Sequence, residues 1–206
     1  MLVLGLKAKI AYLDLTSKAR IQRPHVSGYV SGDSPATDLL AVVDNAGKVA
    51  GCVNRSDAHA NGIRHATVHL LLFNSRGNLL VQMRSPKKDG SPGKLSQSVG
   101  GHVPFGLAPT KVLEKEAFEE LGVRTECLKL VITHPTYLYS SNGGKNQELV
   151  SLFTGNYDGP VYPNYTEVAW AAFFGLAGLN ALYKSEPAKF APSFIEDLRH
   201  MELLTA

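Results

Sequence analysis

The chain has 206 residues, which is enough for one globular domain with its own hydrophobic core and a short appendage. Hydrophobic residues make up 44% of the chain and charged residues 19%, and this balance excludes a wholly disordered protein. The 21 Lys and Arg residues exceed the 18 Asp and Glu residues by only three, and no basic run stands out, so the composition gives no reason to expect nucleic-acid binding.

The N-terminal part of the chain shows no clear structural pattern. We interpret residues 1–37 as an N-terminal extension and residues 38–206 as the folded domain. Two lysines interrupt the apolar start within the first ten residues, which is not the order of a signal peptide, and no apolar run approaches the ~18 residues of a membrane helix. Cys52 and Cys127 are too few for a disulfide framework. We therefore expect a soluble protein of the cytoplasm without membrane association.

Two β-hairpins are predicted at the start of the domain. In each, two apolar runs flank a short turn that contains Asn and Gly, a composition typical of hairpin turns. The predicted strands are 39–43 and 48–53 in the first hairpin, and 66–73 and 78–84 in the second. Residues 85–100 are predicted to form a loop, because Gly and Pro recur there too often for a regular element.

A helix is predicted from Pro109 to Leu121. Proline suits its first turn, Gly122 suits the position after its last turn, and Leu113, Ala117 and Leu121 form an apolar stripe at four-residue spacing. Further strands are predicted at 128–133, 149–157 and 168–174, and closing helices at 175–183 and 192–203. Interleaved strands and helices predict an α/β or α+β domain with a mixed sheet.

Three carboxylates share one side of the predicted helix. Glu116, Glu119 and Glu120 stand at i, i+3 and i+4, within an arc of roughly 100°. Like charges at this spacing destabilise a helix by a few tenths of a kcal/mol, and the C-terminal end of a helix disfavours negative charge. A bound cation would offset both costs, and Mg²⁺ takes carboxylate oxygens while leaving positions for water and phosphate. The alternative is a solvated acidic face without a metal.

The segment Gly101–Val123 resembles the Nudix box, a 23-residue motif of the form GX5EX7REUXEEXGU in which U is a bulky aliphatic residue. Gly101, the three glutamates and the closing Gly122-Val123 match the motif without a gap. The resemblance implies the Nudix fold, with a mixed sheet sandwiched between helices, and hydrolysis of a diphosphate linkage that depends on Mg²⁺ or Mn²⁺. It also implies that Glu116, Glu119 and Glu120 bind the metal and that Glu116 or Glu119 is the general base.

Two positions depart clearly from the motif. Leu107 stands where the motif has Glu, and Lys115 stands where it has Arg. Lys keeps the positive charge but loses the planar bidentate fork of Arg, and it lacks the partner that a glutamate at 107 would provide. We expect the helix to be held less firmly near Glu116 and the turnover to be low rather than absent. A catalytically silent, ligand-binding domain is the alternative.

Features outside the motif resemble isopentenyl-diphosphate isomerase and the isomerase-like Nudix hydrolases. Arg84 and Lys88 fall where the isomerase binds diphosphate, and Glu148 falls near one of its catalytic acids. His102 follows Gly101 as in the GH pair of that branch. His59, His65 and His102 also resemble the isomerase's second metal site, although histidines beside strands are more often hydrogen-bonded packing residues.

The residues that decide between these two activities favour a hydrolase. The isomerase has a cysteine immediately before its GH pair, where this chain has Gly100, and a late tryptophan where this chain has Ser193. We expect hydrolysis of a nucleoside diphosphate derivative or a related organic pyrophosphate, with isomerisation as the alternative. A small-molecule diphosphate is the expected partner, and a homodimer is left open. The residues expected to bind the substrate are Arg84, Lys88, Gly101, His102 and Glu148.

Overall fold

The structure is a computed structural model, and it describes residues 39–88, 90–125, 128–139 and 145–205. The predicted N-terminal extension and Cys127 lie outside these residues. The strands are β1 (Leu39–Val43), β2 (Val49–Asn54), β3 (His65–Phe73), β4 (Leu79–Arg84), β5 (Leu95–Ser96), β6 (Val99–His102), β7 (Lys129–Tyr139), β8 (Lys145–Asn156) and β9 (Val168–Phe174). The helices are α1 (Arg55–Asn61), α2 (Pro109–Leu121), α3 (Leu176–Ser185) and α4 (Pro192–His200), and a 3-10 turn lies at Pro187–Lys189.

The sheet is mixed, as the sequence predicts. Its central strand, β3, pairs in parallel with β8 from His65–Glu148 to Phe73–Asn156, and on its other side it pairs antiparallel with β6. β7 pairs antiparallel with β8, while β4 pairs antiparallel with β5 and β9. Strand β3 is buried over nearly its whole length, which is typical of a strand covered on both faces.

Helices cover both faces of this sheet. On one face, the apolar stripe of α2 (Leu113, Ala117 and Leu121) packs on alternate residues of β3, including Val68 and Leu70. On the other face, α3 and α4 pack on residues such as Leu71, Leu79 and Leu152. The predicted class, an α+β domain with the sheet sandwiched between helices, is confirmed. None of the helices in the described part of the chain is long and apolar enough to cross a membrane.

The two predicted hairpins have different outcomes. The first is confirmed: β1 and β2 pair along their length, and the Asp44 carboxylate closes the turn by accepting hydrogen bonds from the backbone N–H groups of Ala46 and Lys48, both at 2.9 Å. The second is confirmed only beside its turn, where β3 and β4 pair antiparallel at Phe73–Leu79. Beyond that pair they diverge, since β3 takes β6 and β8 as neighbours and β4 takes β5 and β9.

The elements around the predicted motif are partly as expected. Helix α2 has the predicted bounds, and Gly122 ends it in the left-handed conformation with φ of 66°. The prediction that residues 85–100 form only a loop is wrong, because β5 and the first half of β6 lie within them. Helix α1, which carries His59, was not predicted, because its seven residues are too few to show a helical period.

Candidate active site

Two of the three predicted glutamates of α2 face the sheet. Glu120 is buried, with 6% of its surface exposed, and its Oε2 accepts a hydrogen bond of 3.1 Å from Nε2 of Gln82 on β4. Glu116, one helical turn earlier, is half-buried. Glu119 is exposed and forms an ion pair with Lys115, with 3.2 Å between Nζ and Oε2. Glu116 and Glu120 therefore form the inner part of the carboxylate cluster and Glu119 its outer part.

Gly101 makes room for the inner carboxylates. A Cβ atom built on Gly101 would lie only 3.0 Å from Cγ of Glu116, so a larger residue at this position would displace the glutamate side chain. Burial raises the pKa of Glu116, although the charge of Lys115 opposes the shift. Burial raises the pKa of Glu120 to about 7; the hydrogen bond from Gln82 opposes this shift and the charge of Glu116 adds to it.

The carboxylate cluster fits a divalent cation. The raised pKa values mean that the ionised forms of Glu116 and Glu120 are poorly compensated by the protein itself. A hard cation such as Mg²⁺ prefers this oxygen donor set and would supply the missing positive charge. Glu116, Glu119 and Glu120 are the residues that could hold it.

Positive side chains lie beside the carboxylates. Nζ of Lys88 is 2.5 Å from Oε2 of Glu167, and both charges act on the pKa of Glu116 and Glu120. Arg84 donates from Nε to the carbonyl oxygen of Gly90 at 2.6 Å, and it lies within electrostatic range of Glu120. Cations beside a carboxylate cluster are the arrangement that a diphosphate needs, with a metal on one side and hydrogen-bond donors on the other.

A second cluster lies on the opposite face of β6. His59 of α1, His65 of β3 and His102 of β6 each offer one ring nitrogen, and these three atoms lie within 4.8 Å of one another. The Nε2 atoms of His59 and His102 are 3.1 Å apart. Glu148 of β8, buried at 6% exposure, places Oε1 3.9 Å from Nε2 of His102. The sequence did not decide whether these histidines are packing residues or metal ligands. The structure brings their ring nitrogens together, and the carboxylate of Glu148 lies beside His102.

The histidine cluster also fits a metal ion. Nδ1 of His65 donates to the carbonyl oxygen of Ile63 at 2.9 Å, which leaves Nε2 as the acceptor nitrogen, and this buried atom has no hydrogen-bond partner in the described part of the chain. Burial, together with neighbouring positive groups, lowers the pKa of His65 to about 4 and of His102 to about 2. Neutral imidazoles whose second nitrogen donates to a backbone carbonyl are typical metal ligands.

Comparison with known proteins decides the family. A family model described as NUDIX domain matches residues 63–194. This protein belongs to the Nudix family. The Nudix chain is 36% identical over 146 residues to an isopentenyl-diphosphate Delta-isomerase of Streptomyces coelicolor, a match that covers 68% of this chain and 73% of the isomerase. It is 30% identical over 149 residues to an uncharacterised Nudix hydrolase of the same organism, covering 71% of this chain and 79% of that protein.

A solved structure supports the fold. The crystal structure of DR0079 from Deinococcus radiodurans superposes with a TM-score of 0.62 over 78% of this chain and 97% of that protein, at 24% sequence identity. At this identity the likeness concerns the Nudix fold alone.

The departures from the Nudix box have visible consequences. Leu107 is half exposed, so it is not part of the core. Lys115, which lacks a partner at position 107, pairs instead with Glu119 and lies 3.9 Å from Oε1 of Glu116. The cation at position 115 is therefore retained next to the carboxylates, although it binds neighbours on its own helix.

The predicted site residues fall into two groups on either side of β6. The first group is the carboxylate cluster itself, Glu116, Glu119 and Glu120, together with Lys88 and Gly101 beside it. The second group is His102 and Glu148, which belong to the histidine cluster. Arg84 is within electrostatic range of carboxylates in both groups. Three residues of the site were not predicted: Glu167, Gln82 and Arg55. Arg55 begins α1, and its charge contributes to the low pKa values of His65 and His102. Each is a single polar residue outside any motif, so the sequence carries no signal for it.

Proposed function

We propose that this Nudix protein hydrolyses a diphosphate linkage in a nucleoside diphosphate derivative or a related organic pyrophosphate, and that it depends on Mg²⁺. The observation that carries the proposal is the carboxylate cluster of α2. Glu120 is buried with a pKa raised to about 7, and Glu116 packs against Gly101. Lys88 lies within electrostatic range of both glutamates. A buried acidic cluster is unfavourable for the protein alone, and a metal with its phosphate ligand would compensate it.

The roles of the side chains follow from their positions. Glu116, Glu119 and Glu120 would hold Mg²⁺, which supplies positive charge that polarises the phosphoryl group. Arg84 and Lys88 would bind phosphate oxygens, with Lys88 exchanging Glu167 for the substrate.

Glu116 is better suited than Glu119 to take the proton of the attacking water. It is half-buried in the inner part of the cluster, against Gly101. Glu119 is exposed and bound to Lys115.

Isopentenyl-diphosphate isomerisation is the second candidate. It is favoured by the cluster of His59, His65 and His102 beside Glu148, and by the relatives named as isomerases. Isomerisation moves a proton across a carbon skeleton and needs an acid and a base on opposite sides of it. Gly100 offers no side chain where the isomerase has its cysteine, so that pair is incomplete here.

A product-mass screen for hydrolysis, combined with an acid-lability assay for the two isomers of equal mass, separates these activities. The purified protein is incubated with Mg²⁺ and nucleotide sugars, dinucleoside polyphosphates, NADH, ADP-ribose or isopentenyl diphosphate. We expect cleavage of at least one phosphoanhydride and no interconversion of isopentenyl and dimethylallyl diphosphate. Interconversion without hydrolysis would establish the isomerase, and no reaction at all would indicate a binding domain.

A matched pair of variants connects the activity to the cluster. Glu120→Gln should lower the rate by roughly 100-fold or more, because changes to the outer partners of a metal already cost 10–100-fold. Glu114→Gln is the control, since Glu114 lies on the same helix but has a side chain that is 43% exposed and paired with Lys111 at 2.7 Å. Equal activity of the two variants would contradict the assignment of the site.

A further inference from the structure

A buried ion pair joins α4 to the central strand. Nδ1 of His69, on β3, lies 2.7 Å from Oδ2 of Asp197, on α4. Asp197 is completely buried and His69 is 4% exposed. The second oxygen of the carboxylate, Oδ1, lies 3.2 Å from Nε2 of His134 on β7. Neither Asp197 nor the two histidines belongs to the Nudix box, and the proposed reaction leaves all three without a role.

Each partner of the pair favours the charged form of the other, and burial opposes both. Burial alone would raise the pKa of Asp197, but the charge of His69 and the hydrogen bonds from both histidines hold that pKa below its usual range. Burial alone would lower the pKa of His69, but the charge of Asp197 and its hydrogen bond to the imidazole outweigh this effect and raise the pKa. Because a buried ion pair is often no more stabilising than apolar residues of the same size, stability is a weak reason for its presence.

The ring of His69 lies against β6. His69 and Gly100 are directly opposite each other in the ladder between β3 and β6. A Cβ atom on Gly100 would come within 3.3 Å of Cδ2 of His69 and within 2.4 Å of Nε2 of Gln97. The histidine edge and the Gln97 amide therefore occupy the space that a side chain at position 100 would need.

Strand β6 connects both parts of the site. Its next two residues are Gly101, which receives Glu116 on the α2 face, and His102, which joins the histidine cluster on the other face. The strand has only four residues, two of them glycines, so its own side chains give it little packing. Its position therefore depends on its ladder with β3 and on the side chains that pack against it.

We propose that His69, held by Asp197, is a positioning residue that fixes β6 so that Gly101 and His102 stand correctly in the two clusters. The proposal rests on the proposed function, because it concerns the same site. Loss of His69 or of its link to Asp197 shifts the small strand and loosens both clusters. Loss of His134, which bonds the same carboxylate from β7 on the side away from β6, leaves the strand in place.

Metal binding without substrate tests this arrangement. Co²⁺ is titrated into the full-length protein and followed by its visible absorption, which reports imidazole coordination, and Mg²⁺ is titrated by calorimetry. In His69→Gln we expect both affinities to fall about 10-fold or more, as for other residues that orient metal ligands. In His134→Gln, the matched control, we expect both affinities to stay within about twofold of wild type although the melting temperature falls.

Asp197→Asn is the second variant. It keeps the size of the side chain and removes its charge, so it tests the proposal even if His69→Gln does not fold. We expect it to weaken the binding of both Co²⁺ and Mg²⁺. Wild-type affinities in a folded His69 or Asp197 variant, equal losses in His134→Gln, or no binding of either ion by the wild-type protein would each overturn the proposal. A protein that binds both ions but cleaves no diphosphate would contradict the proposed function and leave this inference standing.

Discussion

The carboxylate of Glu120 should make the metal-free protein less stable above neutral pH. Burial raises its pKa to about 7 from an ordinary value of 4.5, so the folded protein holds this proton more tightly than the unfolded chain does. Below pH 4.5 Glu120 is protonated in both the folded and the unfolded state, so its burial costs no stability there. Between pH 4.5 and 7 the unfolded chain loses this proton while the folded state keeps it, so the stability falls over this range and levels off above pH 7, where the buried group is ionised.

The magnitude follows from the shift. About 2.5 pKa units at 1.36 kcal/mol each correspond to about 3 kcal/mol of lost stability above pH 8. Glu120→Gln removes the ionisation, and its amide oxygen can still accept the hydrogen bond from Gln82. We therefore expect this variant to be more stable than wild type by about 3 kcal/mol at pH 8.5, which is roughly 6–12 °C in melting temperature for a domain of this size.

Urea unfolding with a chelator present measures this effect at pH 4.5 and at pH 8.5. Wild type and Glu120→Gln should have similar stability at the lower pH and separate at the higher one. Glu114→Gln, which changes a partly exposed glutamate of the same helix, should show no such gain. Added Mg²⁺ should stabilise wild type more than Glu120→Gln, because only wild type keeps the full donor set. A Glu120→Gln protein no more stable than wild type at pH 8.5 would refute the reasoning.

Three further changes probe the site. The Gly100→Cys variant should fold, because the flexible end of Gln97 can move away from the new side chain. It should still lack isomerase activity in an acid-lability assay, since His69 stays against that side chain. Interconversion at an enzymatic rate would contradict this expectation. Leu107→Glu combined with Lys115→Arg should raise kcat more than the product of the single changes in steady-state assays, and Leu107→Glu alone should leave the melting temperature nearly unchanged because Leu107 is half exposed. Lys88→Ala should raise KM more than it lowers kcat, because its charge binds phosphate in the ground state as well; an unchanged KM would remove Lys88 from the substrate site.

Local signals predicted the parts of the fold that local chemistry determines. Helix α2 lies between Pro109 and Gly122, which mark a helix start and a helix end wherever they occur with an apolar stripe. Strand β6 escaped prediction because a four-residue strand with two glycines has no apolar alternation, and only its pairing with β3 makes it a strand. The pairing of β3 with β4 stops beside the turn for a related reason, since long-range partners compete for both strands.

The candidate site shows the same limit. Three glutamates on one helix can be recognised together because they are close in sequence. His59, His65 and His102 come from a short helix and two strands, and only the folded sheet brings their ring nitrogens within 4.8 Å. The contact of His69 with Asp197 spans 128 positions in the chain, and no pattern in either segment points to the other.

The alternation of β6 has a consequence for how this protein can change. Successive residues of the strand face opposite sides, so a substitution at Gly101 acts on the carboxylate cluster while a substitution at His102 acts on the histidine cluster. The two halves of the site can therefore diverge separately by point mutation, and one can decay while the other is preserved. An insertion or deletion of one residue between β5 and β6 has no such selectivity. It would exchange the two faces and disable both halves in a single event.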